Sequence, residues 1–368
     1  MKVSYHPFKE VRLDKELRAD EDLAETEGEG AQEIRKNKYS FVAMTYHPAR
    51  RVIIVGATNM AGDILLTFDP GTRTFASLDF AGSIHWSESA NKIHKGLTLD
   101  RENDEVYFGV ATLRNLPNVI GRPGGALLKY NFSTETYTKT GDSGPGQFNQ
   151  ATLVDLERQL MYTATLRSCF GVYDLDRENM KAFEPVGSIP HNLAADDRGG
   201  VWGTHSPGSH AFFRYDPDRE EFEFPENCAF PNAPDAADIM YPGAGPVDSI
   251  INGGDGYLYT ASALGEIYRI DPEQGKLRYL GKPFPGIRLP AMAIGNDGWI
   301  YMAGGRDTAS HLARYHTEDK RFELLGPVET PDGRFLNYAH ELCIVDGVCY
   351  IGETDNRIRS GYMWACEI

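Results

Sequence analysis

Ile93-His94-Lys95-Gly96-Leu97-Thr98-Leu99-Asp100, a polar turn, and then Val106-Tyr107-Phe108-Gly109-Val110 form the unit from which the chain is built. An apolar run ends in a tight polar turn and a second apolar run, centred on an aromatic, comes back. After a gap a third strand leads into a Tyr/Phe-Asp/Asn-Pro turn. The returning run recurs at Val52–Gly56, Val106–Val110, Leu160–Ala164, Val201–Thr204, Tyr257–Ala261, Trp299–Ala303 and Val348–Gly352, at spacings of about 40 to 56 residues. Inner runs precede these at Phe41–Tyr46, His94–Leu99, Asn149–Val154, His191–Ala195, Asp248–Ile251, Pro290–Ile294 and Ala339–Val345. Intervening turns such as Asn252-Gly253-Gly254-Asp255-Gly256 carry hairpin chemistry.

Third strands also repeat, as in Leu65-Leu66-Thr67-Phe68-Asp69-Pro70, Phe213-Arg214-Tyr215-Asp216-Pro217 and Ile267-Tyr268-Arg269-Ile270-Asp271-Pro272. The seventh unit stops one strand short, after Tyr362–Cys366. A ring of sheets must close, because an unpaired edge invites association. The pattern therefore predicts an all-β, seven-bladed β-propeller whose last blade is completed by an N-terminal strand, with Phe8–Leu13 as the candidate. Residues 1–368 read as one domain: a closing strand and acidic connection over 1–40, then blades from about 41 to 368.

The bulk composition narrows the functional classes. A net charge of −16 disfavours nucleic acid and anionic membranes as partners. No apolar run approaches membrane-spanning length, and Met1–His6 lacks an apolar signal core. Five cysteines without a C-x-x-C pair argue against a disulfide framework. These features point to a cytoplasmic protein with reduced thiols. The acidic segment Asp20–Glu29 reads as a solvated loop or short helix before the first blade.

In a propeller the four-to-one and two-to-three connections share one face. Here that face holds the long loops, Asp79–Asn91, Ala111–Gly124, Glu226–Gly245 and Pro327–Leu336. It also collects His85, His94, His191, His205, His210, His311 and His340, and Arg114, Arg122, Arg167, Arg288, Arg306, Arg334, Arg357 and Arg359. An acidic protein that gathers arginines on one face is expected to bind an anion there, since guanidinium forks match carboxylates. Aligning the blades on the second-strand aromatic puts His94, Asn149, His191, Asp248 and Pro290 at one level of the channel. Lys95, Gln150, Asn192, Ser249, Ala291 and His340 fall one step on.

Two chemistries suit these side chains. His94, His191 and His340, with Asn149, Asp248 or Gln150, could converge on a divalent metal ion in the central channel. Alternatively, the site removes a proton next to a carboxylate, which needs a charge partner, a base and an acid at the leaving oxygen. Candidate catalytic residues for this are His94, His191, Tyr241 and Tyr338. Candidate substrate-binding residues are His85, Trp86, Lys95, Arg122, Asn149, Arg167, His205, His210, Arg306 and His340. The carboxylates Glu88, Asp248, Asp307, Glu341, Glu353 and Asp355 form no clear pair, so a glycoside hydrolase is less well served. No G-x-S-x-G elbow appears.

From Tyr39 to Ile368 the chain resembles carbohydrate-active propellers that cleave uronate-containing glycans by β-elimination, the ulvan lyase, rhamnose-glucuronate lyase and oligogalacturonate lyase families. In ulvan-type enzymes a histidine pair works with tyrosine and arginine, and His85 with His94 loosely echoes it. In oligogalacturonate lyase closely spaced histidines hold manganese on late blades, where this chain has His340. The resemblance implies a lyase acting on an anionic, uronic-acid-containing oligosaccharide. A glycosidase on the same scaffold and a non-catalytic binding propeller are the alternatives.

Overall fold

The hairpin turns are built by their Asp and Asn residues. Asp69 Oδ1 accepts the Gly71 and Thr72 amides at 2.7 and 3.1 Å, and Asn131, Asp155, Asp216 and Asp271 do the same two and three residues on. Such side-chain acceptors replace the backbone in starting a turn. The turns end on a left-handed residue, Arg73 (φ 58°), Glu135 (55°), Gln159 (52°), Glu220 (59°) or Gly275 (57°), which returns the chain antiparallel. The motif read in the sequence is therefore a three-to-four hairpin at Asp69, Asn131, Asp216 and Asp271, and the Asp155 turn uses the same device between the first and second strands of blade 3.

The structure is a computed structural model of the chain. It describes residues 1–13, 15–17, 30–83, 90–112, 125–144, 146–205, 211–232, 245–305 and 309–368. Seven four-stranded antiparallel sheets form the blades, and the chain is a seven-bladed β-propeller. The inner strands are Ser40–His47, Thr98–Asp100, Asn149–Asp155, Ala194–Ala195, Val247–Asn252, Ala291–Ile294 and Ala339–Val345, for blades 1 to 7. A short helix, Ala31–Asn37, leads into blade 1. The predicted acidic segment Asp20–Glu29 lies outside the described residues.

The core lies between neighbouring blades rather than within one. Tyr162, Phe170, Phe213 and Tyr215 join blades 3 and 4, while Trp299, Tyr301, Leu312, Ile351 and Trp364 join blades 6 and 7. Middle strands are buried on both faces, as in Glu105–Gly109 and Trp299–Gly304, so they read as continuous apolar runs. Outer strands such as Thr74–Ser77 are largely exposed.

The ring closes as expected, by an N-terminal strand, but with a different segment. Lys2–Pro7 pairs antiparallel with Tyr362–Glu367, in register from Lys2 opposite Glu367 to Pro7 opposite Tyr362. Within it Val3 is buried and Tyr5 stacks on Tyr362 at 4.8 Å. Phe8–Leu13, expected to be that strand, runs over the loop face instead. Phe8 wedges edge-on against Tyr39 at 4.9 Å and packs near Phe75, and Val11 and Leu13 bond to the Ser360 and Ile358 backbone. The alternation Val3-Ser4-Tyr5-His6 suits a half-buried edge strand, and Pro7 ends the ladder because it carries no N–H.

Four inner strands carry a register shift at equivalent places, at Val42, Gln150, Asp248 and His340. A bulge leaves one residue out of the ladder and re-aims its side chain. Blades 2 and 4 differ from expectation: their inner strands begin only at Thr98 and Ala194, so His94 and His191 precede the ladder.

Removing residues 1–7 is expected to leave Tyr362–Glu367 as an open edge. The thermal midpoint should fall by at least about 3 °C, the shift produced by roughly 2 kcal/mol in a chain of this size, with oligomers appearing on size-exclusion chromatography. An unchanged midpoint and a monomeric profile would mean that the closing strand contributes little.

Candidate metal centre in the channel

The bulge in blade 7 and the late strand starts in blades 2 and 4 bring three imidazoles together on the propeller axis. One ring nitrogen from each of His94, His191 and His340 lies within 4.8 Å of the other two. Ring centroids are separated by 4.6 Å (His94–His191), 4.7 Å (His94–His340) and 5.7 Å (His191–His340). All three are buried, at 2–3% exposure. Among the described residues this is the one group of three or more His, Cys, Asp or Glu placed to hold an ion.

Their electrostatics favour the neutral, metal-ready form. Burial drives all three well below the usual imidazole value, and nearby cations, Lys92 beside His94 and Lys95 beside His191 and His340, push the same way. His94 Nδ1 donates to the Gln150 carbonyl at 2.6 Å, which fixes the tautomer and leaves Nε2 as a lone-pair donor. The Asp248 main chain lies against the His191 ring. His340 Nδ1 is buried without a hydrogen-bond partner among the described residues, a costly state that a bound ion relieves. Three neutral imidazoles fit a first-row divalent ion, and such a ligand set leaves the ion's charge uncompensated, so further positions favour an anion.

The next layer of the channel is a staple. Lys95 Nζ donates to the Pro290 carbonyl (2.8 Å), the His340 carbonyl (2.5 Å) and Glu341 Oε2 (2.9 Å), so its three protons link blades 2, 6 and 7. Burial raises the Glu341 carboxyl above its ordinary value, and Lys95 opposes that rise. Gly96 follows with φ 108°, and a Cβ there would sit 1.9 Å from the Thr152 carbonyl, so only glycine lets blades 2 and 3 approach this closely. Beyond Lys95 the channel widens into a cavity of about 360 Å³ between the inner strands. A second staple joins blades 5 and 6, where Arg288 Nε donates to both Asp248 oxygens and the Leu289 amide donates to Oδ2.

The other expected site residues distribute as follows. Asn149 turns away from the axis: its amide donates to the Val110 and Ala126 carbonyls and accepts from Ser143, closing the seam with blade 2. Gln150, in the bulge, takes its place, with Nε2 3.5 Å from His94 Nε2. Arg167 is exposed in the turn before Cys169–Asp174. His205 ends the second strand of blade 4, with Nδ1 3.0 Å from the Val186 carbonyl and the ring against Phe224. Tyr338 is half-buried, two residues before His340. His85, Trp86, Arg122, His210, Tyr241 and Arg306 lie outside the described residues. Of the face carboxylates, Glu353 is fully buried under Arg359, Asn356, Trp364 and the Tyr362 amide; Glu88 and Asp307 are not among the described residues.

Sequence reasoning passed over Lys92, the cation beside His94. It lies two residues before His94, a spacing that puts both on one side of an extended chain. No family model matches the chain, and no curated sequence does.

Two outcomes follow. In the metal-free protein under chelator, the unfolded histidines take up protons below about pH 6.5 while the folded ones resist. Unfolding free energy should therefore fall as pH drops through that value, by up to about 1.4 kcal/mol per pH unit for each histidine. Glu341, held high, acts with the opposite sign. Replacing all three histidines by Gln should flatten the profile in urea titrations; a profile of unchanged slope would contradict the assignment. Separately, Lys95→Met should cost about 3–5 kcal/mol by stranding Glu341, and Lys95→Met/Glu341→Leu should recover most of it. A double variant no more stable than the single would refute the staple.

Proposed function

We propose that this propeller is a metal-dependent lyase that cleaves a uronic-acid-containing oligosaccharide by β-elimination at the loop-rich end of its channel. The observation that carries this reading is the convergence of His94, His191 and His340, buried and neutral, on one point of the axis. A divalent ion, if held by His94, His191 and His340, would supply a charge partner for the uronate carboxylate and so make the adjacent C–H more acidic. The histidines act as ligands in this reading. Their depressed basicity makes them poor proton acceptors, and His94 already donates from Nδ1.

Proton transfer therefore falls to phenols. Tyr338, half-buried two residues before His340, is the candidate to give a proton to the leaving oxygen. Tyr241, the second candidate from the sequence, would as a phenolate take the proton from the carbon next to the carboxylate. Arg122, Arg167 and Arg306 remain candidates for carboxylates of neighbouring sugar units. Lys95 serves instead as the staple, since its three protons are engaged within the protein. A hydrolase would need two free carboxylates flanking the scissile bond. Glu341, Asp248 and Glu353 are each bound to a cation, which favours elimination over hydrolysis.

The test is absorbance in the unsaturated-uronate band on mixing with a panel of uronate oligosaccharides. The expected result is a rise with at least one substrate, abolished by chelator. Activity should fall about 100-fold or more in His340→Ala and by 10²-fold or more in Tyr338→Phe, both folded. Release of reducing ends without the chromophore would replace this reading with hydrolysis. Binding without any product would replace it with a non-catalytic ligand-binding propeller.

A further inference from the structure

We propose that a cleft beside the throat, between the N-terminal segment and the loops of blade 7, is a separate subsite for a carboxylate-bearing sugar unit. The proposal deepens the lyase reading and rests on it for the identity of the chain that is bound. The cleft has a volume of about 450 Å³, and Arg12, Arg334 and Arg357 reach into it beside Phe335, Tyr338 and Ile358. It forms because residues 11–13 and 15–17 follow the blade 7 loop, with Ser360, Leu13 and Leu17 amides donating to Val11, Ile358 and Arg357 carbonyls. Ring closure thus creates one wall of the site.

Three observations point to an anionic sugar. First, the guanidiniums are only loosely satisfied. Arg357 reaches Glu16 at 3.5 Å and leaves Nε buried without a partner among the described residues. Arg334 touches Glu10 at 3.9 Å and Asp332 at 3.5 Å, and Arg12 has no ion pair among the described residues. Those acidic partners are 58–63% exposed, and such pairs exchange readily for a better one. The fourth arginine of the cleft, Arg359, is tightly held and serves the fold, bonding Glu353 at 2.7 and 3.0 Å, much as Arg214 bonds Asp196 at 2.8 Å elsewhere.

Second, the cleft carries apolar surface. Phe335 is 43% and Ile358 59% exposed, two of the few large hydrophobic side chains that face water. An apolar plate beside guanidinium forks matches a uronate ring, whose C–H face packs on the plate while its carboxylate meets the fork. Third, Tyr338 borders the cleft and precedes His340 by two residues. The cleft and the histidine centre thus both draw on the residues that begin the inner strand of blade 7. Glu16 opposes an anion here until Arg357 exchanges its partner.

The experiment is calorimetric titration of the chelator-treated protein with galacturonate, glucuronate and guluronate oligosaccharides, a neutral oligosaccharide and inorganic phosphate. The expected result is binding of at least one uronate oligosaccharide, weakened tenfold or more in Arg334→Gln/Arg357→Gln and several-fold in Phe335→Ala. Unchanged thermal midpoints certify the fold, and Arg101→Gln, at a turn on the opposite face, serves as control. Wild-type affinity in both variants, or phosphate competing as well as the sugar, would overturn the subsite. Loss of binding in the variants without elimination by the wild type would keep the subsite and discard the lyase; elimination with an unchanged KM in the double variant would do the reverse.

Discussion

Seven inner strands run along one axis, and whatever side chains begin them must share a narrow column of space. That crowding governs the rest of the molecule. A charged or unpaired polar group there is costly, so each blade either hands the axis a small residue or ties its polar group to a neighbour. Blades 2, 4 and 7 place imidazoles close together there, with His94 tied through Nδ1 to the Gln150 carbonyl of blade 3. Neutral imidazoles can occupy a dry column together, whereas three carboxylates or three ammonium groups could not. The same dryness lowers their proton affinity and leaves their lone pairs for an ion.

The column is held in register by two buried ion pairs of different reach. Lys95 crosses the channel to blades 6 and 7, and Arg288 links blade 6 to Asp248 of blade 5. Neither pair is open to a ligand. Charge on the axis is thus divided between structural cations with fixed partners and a histidine layer with donor atoms to spare. Closure by Lys2–Pro7 keeps the blades from spreading, and the segment that follows turns the seam into a loosely satisfied arginine cleft.

The propeller was legible because its signals are local. The Asp-Pro turns, the aromatic at the centre of each second strand and the alternating polarity of the outer strands all report their own structure. The closing strand was assigned to Phe8–Leu13 because both N-terminal stretches alternate; what separates them is Pro7, which ends the ladder, and the packing of Tyr5 on Tyr362. The three histidines were singled out, yet a uniform register put His340 one step from the other two. The bulge at His340 and the late strand starts of blades 2 and 4 cancel that step, and they arise from how a strand fits its neighbours, which leaves no mark on periodicity. Asn149 was misplaced for the same reason, since its amide faces the Val110 and Ala126 carbonyls rather than the axis. The Lys95–Glu341 contact spans 246 residues and has no sequence signature.

The most direct test of the histidine centre is a spectroscopic titration of the metal-free protein with Co²⁺. The account predicts visible ligand-field bands that saturate at one equivalent per chain, with intensity typical of a nitrogen-rich, low-coordinate site. Those bands should vanish in the His94→Ala, His191→Ala and His340→Ala proteins. Absence of the bands, or the same spectrum after all three histidines are replaced, would contradict it.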